Sequence, residues 1–283
     1  MVTDELFDRT RRLALELTGI ELFERHREIL QSRGRRLGIQ DVARLDSMLS
    51  AAEAGDPVAT RQFVGMVITP FTAFFRHPWH FDIAAEKALW AAHRWGRARV
   101  WSAGVATGEE PYSLAMALIE VFRRDDPPVS IVATDIDLDA LASAEQGTFG
   151  IGTLQSLNME RIDRFFTENN AMRWSVSPTV RRLVKFRTLN LAADTWLVDG
   201  PFDVVLCRNV LMYLETGRRY LALERMALLL APDGLLIMDP AEYPGNAGHL
   251  FKPEGDGVYS RRKGYRLQRE GISMLGIQRM KTL

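Results

Sequence analysis

The sequence predicts an α/β protein built on a mainly parallel sheet, and three stretches carry that prediction. In RVWSAGVATGEEPYSL, residues 99–114, an apolar burst at Val100 and Trp101 runs into a glycine-bearing turn at Gly104 and Gly108, and helical spacing starts at Pro111. SIVAT, residues 130–134, is a second strand that ends at Asp135, with helical spacing resuming at Leu138. PFDVVLCRNVLMYL, residues 201–214, holds a third, buried strand at Val204, Val205 and Leu206 whose carboxyl end carries Cys207, Arg208, Asn209 and Tyr213. Strands alternating with helices imply parallel pairing through right-handed crossovers.

The loop at Gly104 and Gly108 reads as a nucleotide cradle. Glycine has no Cβ, so its backbone takes positive φ and lets a ligand approach closely. Proline suits the first helical position, where no backbone donor is needed, and Glu109 and Glu110 sit beside the positive end of the helix dipole. A phosphate loop would carry G-x-G-x-x-G, or a lysine after its last glycine. Here the glycines are spaced G-x-x-x-G and two glutamates follow. Carboxylates repel phosphate but suit a ligand bearing an ammonium and a sulfonium, and S-adenosylmethionine (SAM) has both. Asp135 stands where doubly wound folds place a carboxylate for the ribose hydroxyls. The plain alternative is that Asp135 only caps the helix entered at Asp137.

The 283 residues suffice for one sizeable α/β domain and a smaller appendage. A zero formal net charge argues against general nucleic-acid binding. One cysteine excludes an intrachain disulfide, and no His or Cys pair has metal-ligand spacing, so no metal is expected. The charged N-terminus lacks a signal-peptide core and no apolar run is long enough to span a bilayer, so a cytoplasmic location is expected. The sequence does not fix the oligomeric state; a monomer is favoured.

In chain order, residues 1–75 read as a helical domain. Leu6, Thr10, Leu13 and Leu17 share one face, with Thr3 or Asp4 as cap and Gly19 as stop. A second helix over about 21–32 carries Arg25 and Arg27, with Arg33, Arg35 and Arg36 at or beyond its end. Asp41 caps a third helix with Val42, Leu45, Met48 and Leu49 inward, and a fourth runs over about 57–68. The arginines are either a solvated face or a docking surface for an acidic helical partner. Between the helical domain and the main domain, residues 76–98 read as a linker, and the apolar stretch at 69–82 holds Phe74, Phe75, Trp79 and Phe81, which seal the domain interface. Arg76, flanked by aromatics, suits a carboxylate, whereas His77 and His80 read as structural. The main domain follows over 99–262. Helices are expected at 111–122 and 138–145, with further helix at 151–166. Short alternating runs at about 173–191, turning at Ser177 and Pro178, suggest a small antiparallel excursion. A turn at 232–234 leads to another strand, and a weak strand near 257–261 precedes a basic tail at 263–283.

FTAFFRHPWHF, WSAGVATGEEPYSLA, ATDID, LNL at 189–191 and FDVVLCRNVLMYL, in this order, resemble the CheR-type methyltransferases, which use SAM to methylate glutamates of bacterial chemotaxis receptors. The resemblance covers about residues 6–261. It implies a Rossmann-like SAM domain with a small N-terminal helical domain and an inserted antiparallel β-subdomain. It also implies SAM contacts from Thr72, Arg76, Glu109, Asp135, Asn190, Leu191, Cys207 and Arg208, beside the glycines Gly104 and Gly108. Arg76 and Tyr213 are then the residues near the transferring methyl, and the basic second helix, with Arg27, Arg33, Arg35 and Arg36, is the surface that meets the receptor's cytoplasmic helical bundle.

The chain departs from the family pattern at Pro70, where asparagine is usual, at DPAE (239–242), which replaces G-H-S-E, and after Arg33, where GRR is one residue short and Gly34 weakens the helix. The short antiparallel excursion lacks the glycine-bearing loop of members that tether to a receptor's C-terminal pentapeptide, so docking independent of that peptide is expected. Two other readings stand beside the main one: methylation of RNA or a small molecule, and a SAM-binding signalling module without turnover.

Overall fold

In a computed structural model of the chain, residues 3–68, 71–169 and 172–262 are described. The N-terminal third is helical. α1 (Asp4–Thr18) starts where the Thr3 hydroxyl accepts from the Leu6 N–H at 3.3 Å and stops at Gly19, whose φ of 71° closes the helix. α2 spans Arg27–Arg36 after a 3₁₀ turn at Glu24–His26, several residues later than the spacing suggested. Gly34 does not end it: it is buried near Met66 and Ile39, where a Cβ would make ordinary van der Waals contact. α3 (Val42–Glu53) and α4 (Pro57–Val67) begin at Asp41 and Asp56, each accepting from a first-turn N–H. The four helices close on a core that includes Phe7, Leu49 and Phe63, while Val42, expected inside, is exposed.

The expected linker is a helix. α5 (Pro78–Trp95) opens with Pro78 and buries Ala84, Ala85, Ala88, Ala91 and Ala92, and this alanine stripe packs against α6 (Glu109–Phe122). Phe74, Phe75 and Phe81 are buried as expected, whereas Trp79 is 42% exposed and seals nothing.

The sheet begins with β1 (Ala98–Ala103) and β2 (Val129–Asp135), followed by α7 (Leu138–Gln146). Next come β3 (Thr148–Gly150), α8 (Ile151–Leu154) and α9 (Met159–Phe165), two short helices where one was expected. β4 (Phe166–Glu168), β5 (Arg173–Val176) and α10 (Pro178–Arg181) lead to β6 (Val184–Thr188). β7 (Phe202–Cys207), α11 (Thr216–Leu229), β8 (Leu230–Ile237), β9 (Phe251–Gly255) and β10 (Val258–Arg261) complete the fold.

Seven strands form one sheet in the order β6-β2-β1-β7-β8-β10-β9, all running in one direction except β10, which is antiparallel to both of its neighbours, β8 and β9. A three-stranded antiparallel sheet, β3-β5-β4, stands apart from it. The antiparallel excursion therefore exists with other boundaries. It takes in residues 148–150, 166–168 and 173–176, whereas 184–188 pairs parallel with β2 as an edge of the main sheet. The turn expected at 232–234 is absorbed into β8, and β9 was not anticipated.

Alternation sets the layers. Val100, Ile131, Val204 and Leu206 face α5 and α6, and Trp101, Val205 and Leu236 face α11. The indole N–H of the fully buried Trp101 donates to Thr134 Oγ1 at 2.9 Å, so the largest core side chain leaves no polar atom unpaired.

The helical domain is stitched to the main domain by backbone. Ile20 and Leu214 form an antiparallel bridge, Glu21 N donates to Tyr213 O at 3.1 Å, and Glu215 N to Gly19 O at 2.9 Å. Asn190 Nδ2 adds a bond to Leu17 O at 2.8 Å. A Cβ on Gly19 would stand 2.3 Å from that of Ala192, so this close approach needs glycine.

Candidate active site

β1 is the point where the strand order reverses: β2 and β6 lie to one side, and β7 and β8 to the other. Ligands in open α/β sheets bind at such a point, outside the strands' carboxyl ends. Ala103 pairs with Thr134 on one side and Cys207 on the other, so Gly104, Asp135 and Arg208 emerge at one level. They line a cavity of about 500 Å³, within the size range of small-molecule sites.

The loop after β1 is fixed by backbone requirements. Gly104 has φ 78°, and a Cβ there would come within 2.2 Å of Val210. Its N–H donates to Thr134 O at 2.7 Å. Asp135, 8% exposed, accepts from Ala106 N at 2.7 Å through one oxygen and from Asp137 N at 2.9 Å through the other. Burial raises its pKa, and the backbone hydrogen bonds only partly offset that. The helix cap is Asp137, which accepts from Asp139 N and Ala140 N, so Asp135 serves the loop and cavity.

Thr72, Arg76, Asn190, Leu191 and Tyr213 also line the cavity, together with Gly104, Asp135 and Arg208. Gly108, Glu109 and Cys207 are not among the lining residues. Gly108 serves packing, since a Cβ there would lie 2.8 Å from that of Ala144. Glu109 is buried at the first turn of α6, which starts two residues before Pro111, and accepts from Thr107 Oγ1 at 2.7 Å. Its neighbour Glu110 reaches the wall instead, bonded to Ser102 Oγ at 2.7 Å and to Arg208 Nη1 at 3.1 Å. Cys207 is fully buried in the apolar cluster under the sheet, which pushes its thiol pKa well up.

Burial raises the Glu109 pKa despite the Thr107 bond. The folded protein therefore holds this proton more tightly than the unfolded chain, and stability falls as pH rises from the ordinary glutamate range through the raised value. Glu109→Gln removes this loss while keeping an acceptor for Thr107. The variant should gain melting temperature relative to the parent between pH 4 and pH 7; an equal difference at both pH values contradicts it.

Arg76 occupies a turn that the chain pays to shape. Phe75 and His77 on either side have φ of 50° and 57°, conformations costing roughly 1–2 kcal/mol for a non-glycine residue. Phe75 N donates to Ser113 Oγ at 2.9 Å, and Arg208 Nη2 donates to the Arg76 carbonyl. The Arg76 guanidinium lies 5.5 Å from the Phe71 ring centroid.

Two acids that the sequence did not single out for a role organise the opposite wall. Glu242, buried, accepts from Asn209 N at 2.8 Å, Met212 N at 3.0 Å and Asp239 N at 3.3 Å, and so holds the loop presenting Tyr213. Asp239 faces Arg76 and His77. Their positions, just past β8, become meaningful only once β8 lies beside β7.

The helical domain supplies a wall of its own: Leu22, Arg25, Ile29 and Arg33 line the cavity. Arg33 Nη1 donates to Val67 O at 2.8 Å, and burial followed by the Arg36 charge lowers its pKa. Arg33 thus belongs to the cavity wall and not to an outer docking face. Arg27 pairs with Asp4 and Glu24 over the Phe7 ring, which leaves Arg35 and Arg36 as the exposed members of that set. Pro70 and the tail at 263–283 lie outside the described residues.

Residues 70–254 match the family model described as CheR methyltransferase, SAM binding domain. The chain belongs to the CheR methyltransferase family. Among curated proteins, chemotaxis protein methyltransferase 2 of Pseudomonas aeruginosa is 37% identical over 262 residues, covering 91% of this chain and 93% of that protein. The chemotaxis protein methyltransferases of Salmonella typhimurium and Escherichia coli are 33% and 32% identical, each covering 92% of this chain and 91% of the relative. This CheR-family chain is thus a SAM-dependent methyltransferase of the chemotaxis type. Its cavity fits that cofactor: a glycine loop with no room for a Cβ, a buried carboxylate at the end of β2, and acidic and basic groups on one wall.

Proposed function

We propose that the protein forms methyl esters on glutamate side chains of the cytoplasmic helical domain of chemotaxis receptors. The observation that carries this reading is Arg76, a guanidinium lining the cofactor cavity from a strained, hydrogen-bonded turn. A planar fork of donors selects a carboxylate. Bound SAM supplies an electrophilic methyl group; the O–CH₃ bond forms as the S–CH₃ bond breaks, and the carboxylate's charge cancels the sulfonium's.

A glutamate is already ionised at neutral pH, so the nucleophile needs no general base. The protein's work is positioning and excluding water. Arg76 holds the incoming carboxylate, Tyr213 closes the cavity beside it, Asp135 serves the ribose, and Asn190, Leu191 and Thr72 complete the cofactor wall. Exposed Arg35 and Arg36, at the end of α2, give the acidic receptor bundle a place to land. Docking is independent of a receptor C-terminal pentapeptide, and a measurable affinity for such a peptide contradicts that part.

The test is incubation with methyl-labelled SAM and a receptor cytoplasmic fragment, followed by mild alkali. Carboxyl esters release volatile labelled methanol; methyl groups on nitrogen do not. Alkali-stable label, or none with SAM binding intact, overturns the proposal.

A further inference from the structure

Asp239 follows β8, one position beyond Met238, and is 4% exposed. One carboxylate oxygen accepts from Ala241 N at 3.0 Å. The other, Oδ2, is buried with no hydrogen-bond partner. It lies 3.3 Å from His77 Nε2 and 3.8 Å from Arg76 Nη2, at the foot of the turn that presents Arg76. Burying a carboxylate costs free energy unless it is paired. Here burial works to raise its pKa, but the Ala241 N–H, the Asn209 side chain and the nearby His77 and Arg76 outweigh that and leave it lowered. Asp239 is therefore an anion at neutral pH, set among groups that attract it.

The architecture explains why a charge is tolerated there. The backbone at Arg76 is already fixed by Arg208 and Ser113, but a guanidinium on three methylenes keeps its rotamer freedom unless its head is held. Phe71, the ring nearest the guanidinium, is itself 73% exposed and cannot supply that hold alone. Asp239 is the carboxylate in ion-pair contact with the Arg76 guanidinium.

We propose that Asp239 is a positioning residue for Arg76: its unbonded oxygen holds the guanidinium to one side, so that the remaining donors of the fork stay directed at the substrate carboxylate. His77 shares the same oxygen and keeps it from being left bare when Arg76 engages substrate. The inference rests on the carboxylate-methylation reading only for its effect on turnover; the hold itself exists in the free enzyme.

Two measurements on the full chain test it. The first is the side-chain Nε–Hε order parameter of Arg76, with its signal assigned by disappearance in Arg76→Lys. Asp239→Asn keeps the side chain's shape and the Ala241 bond, and should drop the order parameter from about 0.8 to below about 0.6. The second is a double-mutant cycle on receptor-fragment esterification. Asp239→Asn should lower kcat/KM about tenfold in the Arg76 enzyme and less than about twofold in Arg76→Lys. An unchanged order parameter, or equal losses in both backgrounds, overturns the proposal. If the parent enzyme esterifies no receptor, the functional reading fails, and the order parameter alone still decides the role of Asp239.

Discussion

Replacing Arg76 with alanine should cost about 10²–10³-fold in ester formation at saturating SAM, the scale seen when one fixed donor is removed from a developing charge. The loss follows from geometry. The strained turn and the Arg208 bond to its carbonyl fix the backbone that presents this one side chain, and the Asp239 contact meets its guanidinium; a methyl group in its place has no donors to present. Arg76→Lys should recover little, because a point charge lacks the planar fork. Arg76 is partly exposed, so the melting temperature should stay near that of the parent. The check is labelled methanol release per enzyme at matched receptor concentration; near-parental turnover by the alanine variant removes Arg76 from the mechanism.

Asp135→Ala should weaken SAM binding about 100-fold, since it removes the proposed ribose acceptor and strands two backbone donors, Ala106 N and Asp137 N, each costing about 1–3 kcal/mol when buried and unpaired. Asp137 is itself buried, so water cannot repair its N–H cheaply. Asp135→Asn keeps one accepting oxygen and should lose about tenfold, because its NH₂ then faces one of those donors. Titration calorimetry with SAM measures both, and an alanine variant binding as tightly as the parent contradicts the assignment.

The cradle was legible because its parts are local. The strand, the glycines and the helix that follows them run consecutively over residues 98–122, and Asp135 ends the next strand. Phase within the first helical turn was not: residues 109 and 110 are both acidic, and only the folded helix decides that Glu110 reaches the cavity. The α5 helix was masked by aromatics and histidines at its start, although its alanines recur at helical spacing. Residues 184–188 were misassigned because alternation reads alike in an antiparallel hairpin and at a parallel edge; the partner strand decides, and it lies about fifty residues earlier. Arg33 and Asp239 escaped for the same reason. Their partners, Val67 for one and Arg76 for the other, are distant in sequence, and a charge run or an acid after a strand carries no sign of what it will meet.

The backbone stitch between residues 19–21 and 213–215 bears on what counts as a working unit. A fragment cut to the span of the family match, residues 70–254, would keep β1 to β8 but lose β10 and the last residue of β9. It would also forfeit the rungs at Gly19, Ile20 and Glu21, the Leu17 carbonyl that Asn190 uses, and the wall made by Leu22, Arg25, Ile29 and Arg33. The region that sequence comparison identifies as a module is therefore smaller than the machine. Tyr213 is braced by Glu21, far upstream in the chain, so a working unit has to carry both parts.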